Sequence, residues 1–208
     1  MKLKEILDKS IQFLKDKKFE TPRLDAELLI AGVLNLERIQ LYVKFDQPLS
    51  EVEIEKCRQS LRRRIAGEPV AYILGVKDFF GLQFKVNSDV LIPRPETEHI
   101  VEKALAWIES EKIDSPKILD LGCGSGCVGL SIVKNVQNAR LVGVDKSEGA
   151  LVISRENSLS LKIEEQVKFI QCDLLDKESV KNVFQKNNLE KFDLIVGNPP
   201  YIAKDDKL

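Results

Sequence analysis

Lys117-Ile-Leu-Asp-Leu-Gly-Cys-Gly-Ser-Gly126 runs from an apolar strand into three closely spaced glycines, and a helix-forming segment starts directly after them. Glycines let a backbone turn sharply and let a ligand approach the main chain. Downstream the strand–helix alternation repeats. Strands are expected at Lys117–Leu121, Arg140–Asp145, Val167–Cys172 and Phe192–Gly197, with helices at Gly126–Asn135, Ser147–Leu161 and about Ser179–Asn188 between them. Alternation of this length implies right-handed crossovers and a parallel sheet covered on both faces, an α/β architecture.

Upstream the pattern changes twice. Residues 1–68 read as a small helical bundle. Leu3, Leu7, Ile11 and Leu14 recur at helical spacing with Ile6 in the same stripe, and Thr21-Pro22 reads as an N-cap and first-turn proline for a helix through Leu34. A short segment follows around Ile39–Tyr42. Ser50 and Glu53 have capping-box spacing ahead of a helix to about Ile65, and Gly67 stops it. Residues 69–95 form a β-hairpin and connector: Ala71-Tyr-Ile-Leu-Gly-Val and Leu82-Gln-Phe-Lys-Val flank Gly81, and the prolines of Ile92-Pro-Arg-Pro-Glu-Thr-Glu98 forbid a continuous helix. Residues 96–208 then open with a helix carrying Ile100, Val101, Ala104, Leu105 and Ile108 on one face, and continue into the sheet.

The 208 residues carry a net charge of −1, so no global positive field draws in nucleic acid, and direct nucleic-acid binding is not expected. No secretory signal or run long enough to span a membrane is present, so a cytoplasmic, membrane-free protein is expected. Cys57, Cys123, Cys127 and Cys172 lack paired metal-ligand spacing and His99 is the single histidine, so free thiols and no metal site are expected. Arg62-Arg-Arg64 sits in the last turn of a helix, where cations are favoured in any case. Phe79-Phe80 suits either an adenine-pocket wall or a domain junction, Trp107 reads as core, and His99 as a surface or capping residue.

Two cofactor classes fit the glycine loop. Gly124-x-Gly126-x-x-Gly129 also satisfies a dinucleotide-binding pattern, and Asp145, about 20 residues on, can accept ribose hydroxyls in either class. Asp173 ends the third strand, where a second acid can accept an adenine amino group. The loop with Asp145 and Asp173 resembles the class I S-adenosylmethionine methyltransferases. That resemblance implies a Rossmann-like domain, Gly122, Cys123, Gly124, Ser125 and Gly126 lining the methionine end, and Leu174 near the adenine.

Ile195-Val-Gly-Asn198-Pro-Pro-Tyr201 follows the fourth strand and opens at the same sheet edge. Its bland reading is a turn, since Asn-Pro and Pro-Pro form turns. Its chemical reading concerns a planar amide or aromatic amine, whose nitrogen lone pair is delocalised and weakly nucleophilic. The Asn198 side-chain oxygen and the Pro199 carbonyl can each accept one N–H of such a group and orient the nitrogen toward the cofactor methyl. Pro200 stiffens the turn, and Tyr201 can stack on the planar group. Positioning of this kind supplies on the order of 7–11 kcal/mol, so no strong base is needed. Asn198 also borders the cofactor.

The Asn-Pro-Pro-Tyr motif is shared by methyltransferases of DNA adenine, some rRNA guanines and protein glutamine. Pro22-Arg-Leu-Asp-Ala-Glu-Leu-Leu29, Arg63-Arg-Ile-Ala-Gly-Glu-Pro-Val-Ala-Tyr72, Gly75-Val-Lys-Asp-Phe-Phe80 and Leu91-Ile-Pro-Arg-Pro-Glu-Thr-Glu98 further resemble the PrmC/HemK family over essentially the whole chain. The resemblance implies methyl transfer from S-adenosylmethionine to the glutamine side-chain amide in the Gly-Gly-Gln motif of bacterial class-1 release factors, with the helical domain helping to hold that protein. Family members continue past this motif to complete a seven-stranded sheet. The chain stops at Leu208 after four strands, so a partial catalytic domain with an exposed apolar edge and reduced turnover is expected. Competing readings are methylation of ribosomal-protein glutamine or of a nucleic-acid amino group, a non-catalytic interaction module, and a nicotinamide oxidoreductase.

Overall fold

The apolar stripe of Leu3, Ile6, Leu7 and Leu14 forms the buried face of helix α1 (Leu3–Asp16) in the computed structural model of the chain. The structure describes residues 1–187, 189 and 191–198, which fall into two compact units meeting in sequence at Gly75 and Val76. Four more helices complete the first unit: α2 (Pro22–Leu34), α3 (Arg38–Val43), α4 (Glu51–Ile65) and α5 (Val70–Leu74). Leu3, Leu14, Ile30, Leu41, Ile54 and Cys57 meet in one core, each apolar side chain contributing about 1.5–3 kcal/mol by burial.

The helix boundaries follow local chemistry. Glu53 N–H donates to Ser50 Oγ at 3.3 Å while Ser50 N–H donates to the Glu53 carboxylate at 2.8 Å, the expected capping box. Gly67, just past α4, has φ +96°, a conformation that favours glycine. Thr21 departs from expectation: its hydroxyl donates to Asp25 Oδ1 at 2.9 Å instead of capping the helix. The basic cluster is engaged within the unit. Arg62 pairs with Glu55 at 3.3 Å, Arg63 with Glu68 at 2.7 Å, and Arg64 with buried Asp25 at 2.7 Å while lying over the Phe19 ring.

Ala71-Tyr-Ile-Leu-Gly-Val, expected as a hairpin strand, splits instead. Residues up to Leu74 form α5, with Pro69 before it and Gly75 at φ +74° ending it. A short apolar run has no period that separates buried strand from buried helix, and the contact of Leu74 with the bare backbone of Gly32 decides for helix.

The second unit begins with the antiparallel pair β1 (Val76–Phe79) and β2 (Leu82–Lys85). Phe80 and Gly81 between them both take positive φ, as a two-residue hairpin loop requires. Phe79 packs edge-on against Phe84 in the core, with ring centroids 6.1 Å apart. The connector stays extended to Arg94, makes one 3-10 turn at Pro95–Thr97 and enters α6 (Glu98–Ser110). Val101, Ala104 and Ile108 are the buried face of α6; Trp107, expected in the core, lies off that face and is 38% exposed. His99 is exposed beside Glu102.

There follow β3 (Lys117–Leu121), α7 (Cys127–Asn135), β4 (Arg140–Asp145), α8 (Glu148–Leu161), β5 (Val167–Gln171), α9 (Lys177–Lys186) and β6 (Leu194–Gly197), within a residue or two of the expected bounds. The last residue expected for α9, Asn188, lies outside the described residues. All neighbouring strands are parallel, in the order β5-β4-β3-β6. Alternate residues of β3 face opposite ways. Ile118 joins Val101, Ala104, Val128 and Ile132 on one side, and Leu119 joins Val144, Cys172, Val180 and Phe184 on the other. This is the helix-covered, Rossmann-like α/β sheet expected from the sequence. Among the described residues β6 pairs with β3 alone, and no helix is long and apolar enough to cross a membrane. All four cysteines are free thiols.

Candidate active site

The chain leaves β3 toward β4 and β5 on one side and returns to β6 on the other, so the carboxyl ends of β3 and β6 flank a topological switch point. Gly122, Gly124 and Gly126 in the loop after β3 have φ of +67°, +57° and +77°. A Cβ on Gly122 or Gly124 would meet nothing within 4 Å, so main chain here borders open space that a ligand can fill; at Gly126 it would come 2.8 Å from Leu130. The N–H groups of Gly122 and Cys123 both donate to Val144 O, at 2.8 and 3.0 Å, which ties the loop to β4. The Cys123 side chain turns inward and is buried.

Two side chains of α8 brace this loop from below. Ser154 Oγ donates to Gly124 O at 2.7 Å. Asn157, fully buried, donates from Nδ2 to Ser125 O at 2.9 Å and to Lys85 O at 3.1 Å, and accepts Lys85 N–H at 2.7 Å. Its carboxamide joins the hairpin to the glycine loop. Asn157→Ala strands three backbone groups, each costing about 1–3 kcal/mol when buried, so destabilisation by about 3 kcal/mol is expected in denaturant unfolding.

Asp145 ends β4. Its Oδ2 accepts Gly124 N–H at 2.9 Å and its Oδ1 accepts Ser147 N–H at 2.9 Å, which fixes the carboxylate beside the loop. Asp173 lies one strand further, past β5. Its carboxylate pairs with Lys146 at 2.8 Å and accepts Leu175 N–H at 3.1 Å, and Lys146 holds it below the usual carboxylate range. Leu174 is exposed in the same loop.

Asn198 stands directly beyond β6, and its Nδ2 donates to Thr97 Oγ1 at 3.1 Å. Between Asn198 and the glycine loop lies a small open crevice, about 50 Å³, whose walls also include Leu91 to Arg94, Thr97, Asp120 and Val128. The sheet edge therefore brings together Gly122, Cys123, Gly124, Ser125 and Asn198. Asp145 reaches this group through the Gly124 amide, whereas Asp173 and Leu174 are not on the crevice walls. Pro199, Pro200 and Tyr201 lie outside the described residues.

Asp120, Asn157 and Thr97 were not anticipated. Asp120, the next-to-last residue of β3, is 2% exposed, its Oδ2 accepting Gly129 N–H at 3.0 Å. Burial pushes its carboxyl up to about 7, with the nearby Asp145 charge adding to the effect. An acid inside the apolar run Ile118-Leu-Asp-Leu121 was the signal available for it. Nothing local marks Asn157, and Thr97 is a polar residue in a connector. Among the described residues the crevice walls hold no histidine or lysine. Open main chain and a carboxamide suit chemistry by positioning.

Residues 5–75 match the family described as PrmC N-terminal domain, and residues 104–207 the methyltransferase small domain. The chain is 41% identical over 203 residues to a release factor glutamine methyltransferase of Chlorobaculum tepidum, covering 96% of this chain and 67% of that one. It is 41% identical over 206 residues to one of Leptospira interrogans, covering 97% and 68%, and 38% identical over 204 residues to one of Geobacter sulfurreducens, covering 98% and 66%. It thus spans about two thirds of the length of these curated relatives. With both the helical and the sheet-bearing region matched in one chain, the protein belongs to the release factor glutamine methyltransferase family.

Proposed function

We propose that this chain transfers the methyl group of S-adenosylmethionine to the side-chain amide nitrogen, N5, of the glutamine in the Gly-Gly-Gln motif of bacterial class-1 release factors. The observation that carries the reading is a carboxamide, Asn198, standing across a switch-point crevice from the bare glycine backbone. The residues present suit the cofactor. Gly122 and Gly124 offer an uncluttered main chain for its methionine end, and Asp145 keeps a free lone pair on each oxygen for the ribose hydroxyls. Asp173 is assigned to the adenine amino group and Leu174 to the ring face.

Bound there, S-adenosylmethionine supplies an electrophilic methyl on a sulfonium. The remaining work is to orient the amide nitrogen and, as its new bond to carbon forms and the methyl–sulfur bond breaks, to let one N–H proton leave to water through the oxygen that accepts it. Asn198 Oδ1 accepts one N–H of the target amide and the Pro199 carbonyl accepts the other, which withdraws the nitrogen from rotation and raises its electron density. By the motif, Tyr201 is assigned to the face of the amide plane and Pro200 to limiting the freedom of the chain before it. A glutamine amide needs this help more than an amine would, because resonance with its own carbonyl delocalises the lone pair.

A release factor as partner is favoured over nucleic acid by the near-neutral charge and by the relatives' names. The cytoplasm, where release factors work, is the compartment that goes with this proposal. Competition separates the substrates: with label in the cofactor methyl, release factor, ribosomal protein and DNA are offered together. Label confined to the release factor is expected, and label in ribosomal protein or DNA would replace the proposal with one of those readings.

A further inference from the structure

We infer that Thr97 is a positioning residue for Asn198, holding its carboxamide so that Oδ1 is the acceptor offered to the substrate amide. The inference deepens the functional reading above and rests on it for the substrate's identity. A carboxamide is nearly symmetric in shape and opposite in chemistry at its two ends: oxygen accepts, nitrogen donates. A target amide nitrogen brings N–H donors. An asparagine turned the other way would set donor against donor.

Thr97 Oγ1 lies 3.1 Å from Asn198 Nδ2, and Thr97 is only 6% exposed, so bulk water is a poor substitute for the hydroxyl. The threonine is itself fixed. Its N–H donates to Arg94 O at 3.0 Å in the 3-10 turn, and the next residue, Glu98, accepts Phe80 N–H at 2.8 Å. A residue 101 positions upstream thus receives the Nδ2 end of the Asn198 amide. A hydrogen bond given by Nδ2 also draws electron density toward Oδ1, because hydrogen bonds along a chain polarise one another. A better acceptor at Oδ1 holds the target N–H more firmly and leaves its nitrogen richer in electrons.

Thr97→Val keeps the side-chain shape and removes the hydroxyl; Thr97→Ser keeps the hydroxyl and loses a methyl group. With release factor as substrate, Thr97→Val is expected to lower kcat about tenfold or more, since misplacement near 1 Å costs up to about a hundredfold. KM for the release factor and the Kd for S-adenosylmethionine should stay within about twofold, and Thr97→Ser should recover most of kcat. A valine variant as active as the parent, or a serine variant as impaired as the valine one, overturns the inference. A second readout needs no turnover. The Asn198 side-chain NH₂ signal in a 15N-edited spectrum, assigned by its loss in Asn198→Ala, should move in Thr97→Val and stay near its parent position in Thr97→Ser. An unmoved signal in the valine variant overturns the inference whatever the activity. A moved signal in a chain that leaves release factor unmethylated supports the contact and counts against the functional reading alone.

Discussion

Asn198→Ala lowers kcat for methyl transfer to the release factor by about a hundredfold or more, while the Kd for S-adenosylmethionine changes by no more than a few-fold. The asymmetry follows from what the side chain is assigned to touch. The cofactor's assigned anchors are the glycine loop and Asp145, which is fixed by Gly124 and Ser147. The assigned role of Asn198 Oδ1 is to hold an N–H whose nitrogen gains its bond only in the transition state, and losing one oriented partner of that kind typically costs about 10²–10³ in kcat. Asn198→Asp keeps an acceptor oxygen and gives up the donor to Thr97, so it should fall between the parent and the alanine variant. Single-turnover rates beside calorimetric titration with the cofactor provide the check. Equal losses in cofactor affinity and turnover would move Asn198 from chemistry to cofactor binding.

The second large effect concerns stability and pH. Burial raises the Asp120 carboxyl from 3.8 to about 7, so between those values the folded chain holds a proton that the unfolded chain has released. Stability then falls as pH rises, by about 1.4 kcal/mol per pH unit for one group, and levels off above about 7. The sum is about 4 kcal/mol. Asp120→Asn retains an oxygen for Gly129 N–H and cannot ionise. The variant's stability relative to the parent should therefore climb between pH 4 and pH 7 and stay constant beyond. Urea unfolding of both proteins across that range measures the difference, in which the titrations they share cancel. A pH-independent difference would show that Asp120 is not held protonated by burial.

Much of this fold was legible because its signals are local. Strand–loop–helix at Lys117–Gly126 and the helical stripe of α1 each lie within a few consecutive residues, and the Ser50–Glu53 box declares a helix start by itself. The hairpin's first strand was misplaced because Ala71–Leu74 is apolar without period, and tertiary contact at Gly32 settled it. Trp107 was misjudged because hydrophobicity alone does not say which side of α6 faces the sheet. The site divides in the same way. Gly122–Gly126, Asp145 and Asn198 sit at strand ends, where their chemistry shows in sequence. Thr97 and Asn157 act through partners 101 and 72 residues away, and no local pattern encodes such contacts.

The most direct measurement is methyl transfer from labelled S-adenosylmethionine to a purified release factor, run beside a copy whose Gly-Gly-Gln glutamine is replaced by alanine. Label on the first protein and none on the second is the predicted result. Label on both would place the methyl group elsewhere on the substrate; label on neither, with the cofactor bound, would contradict methyl transfer by this chain.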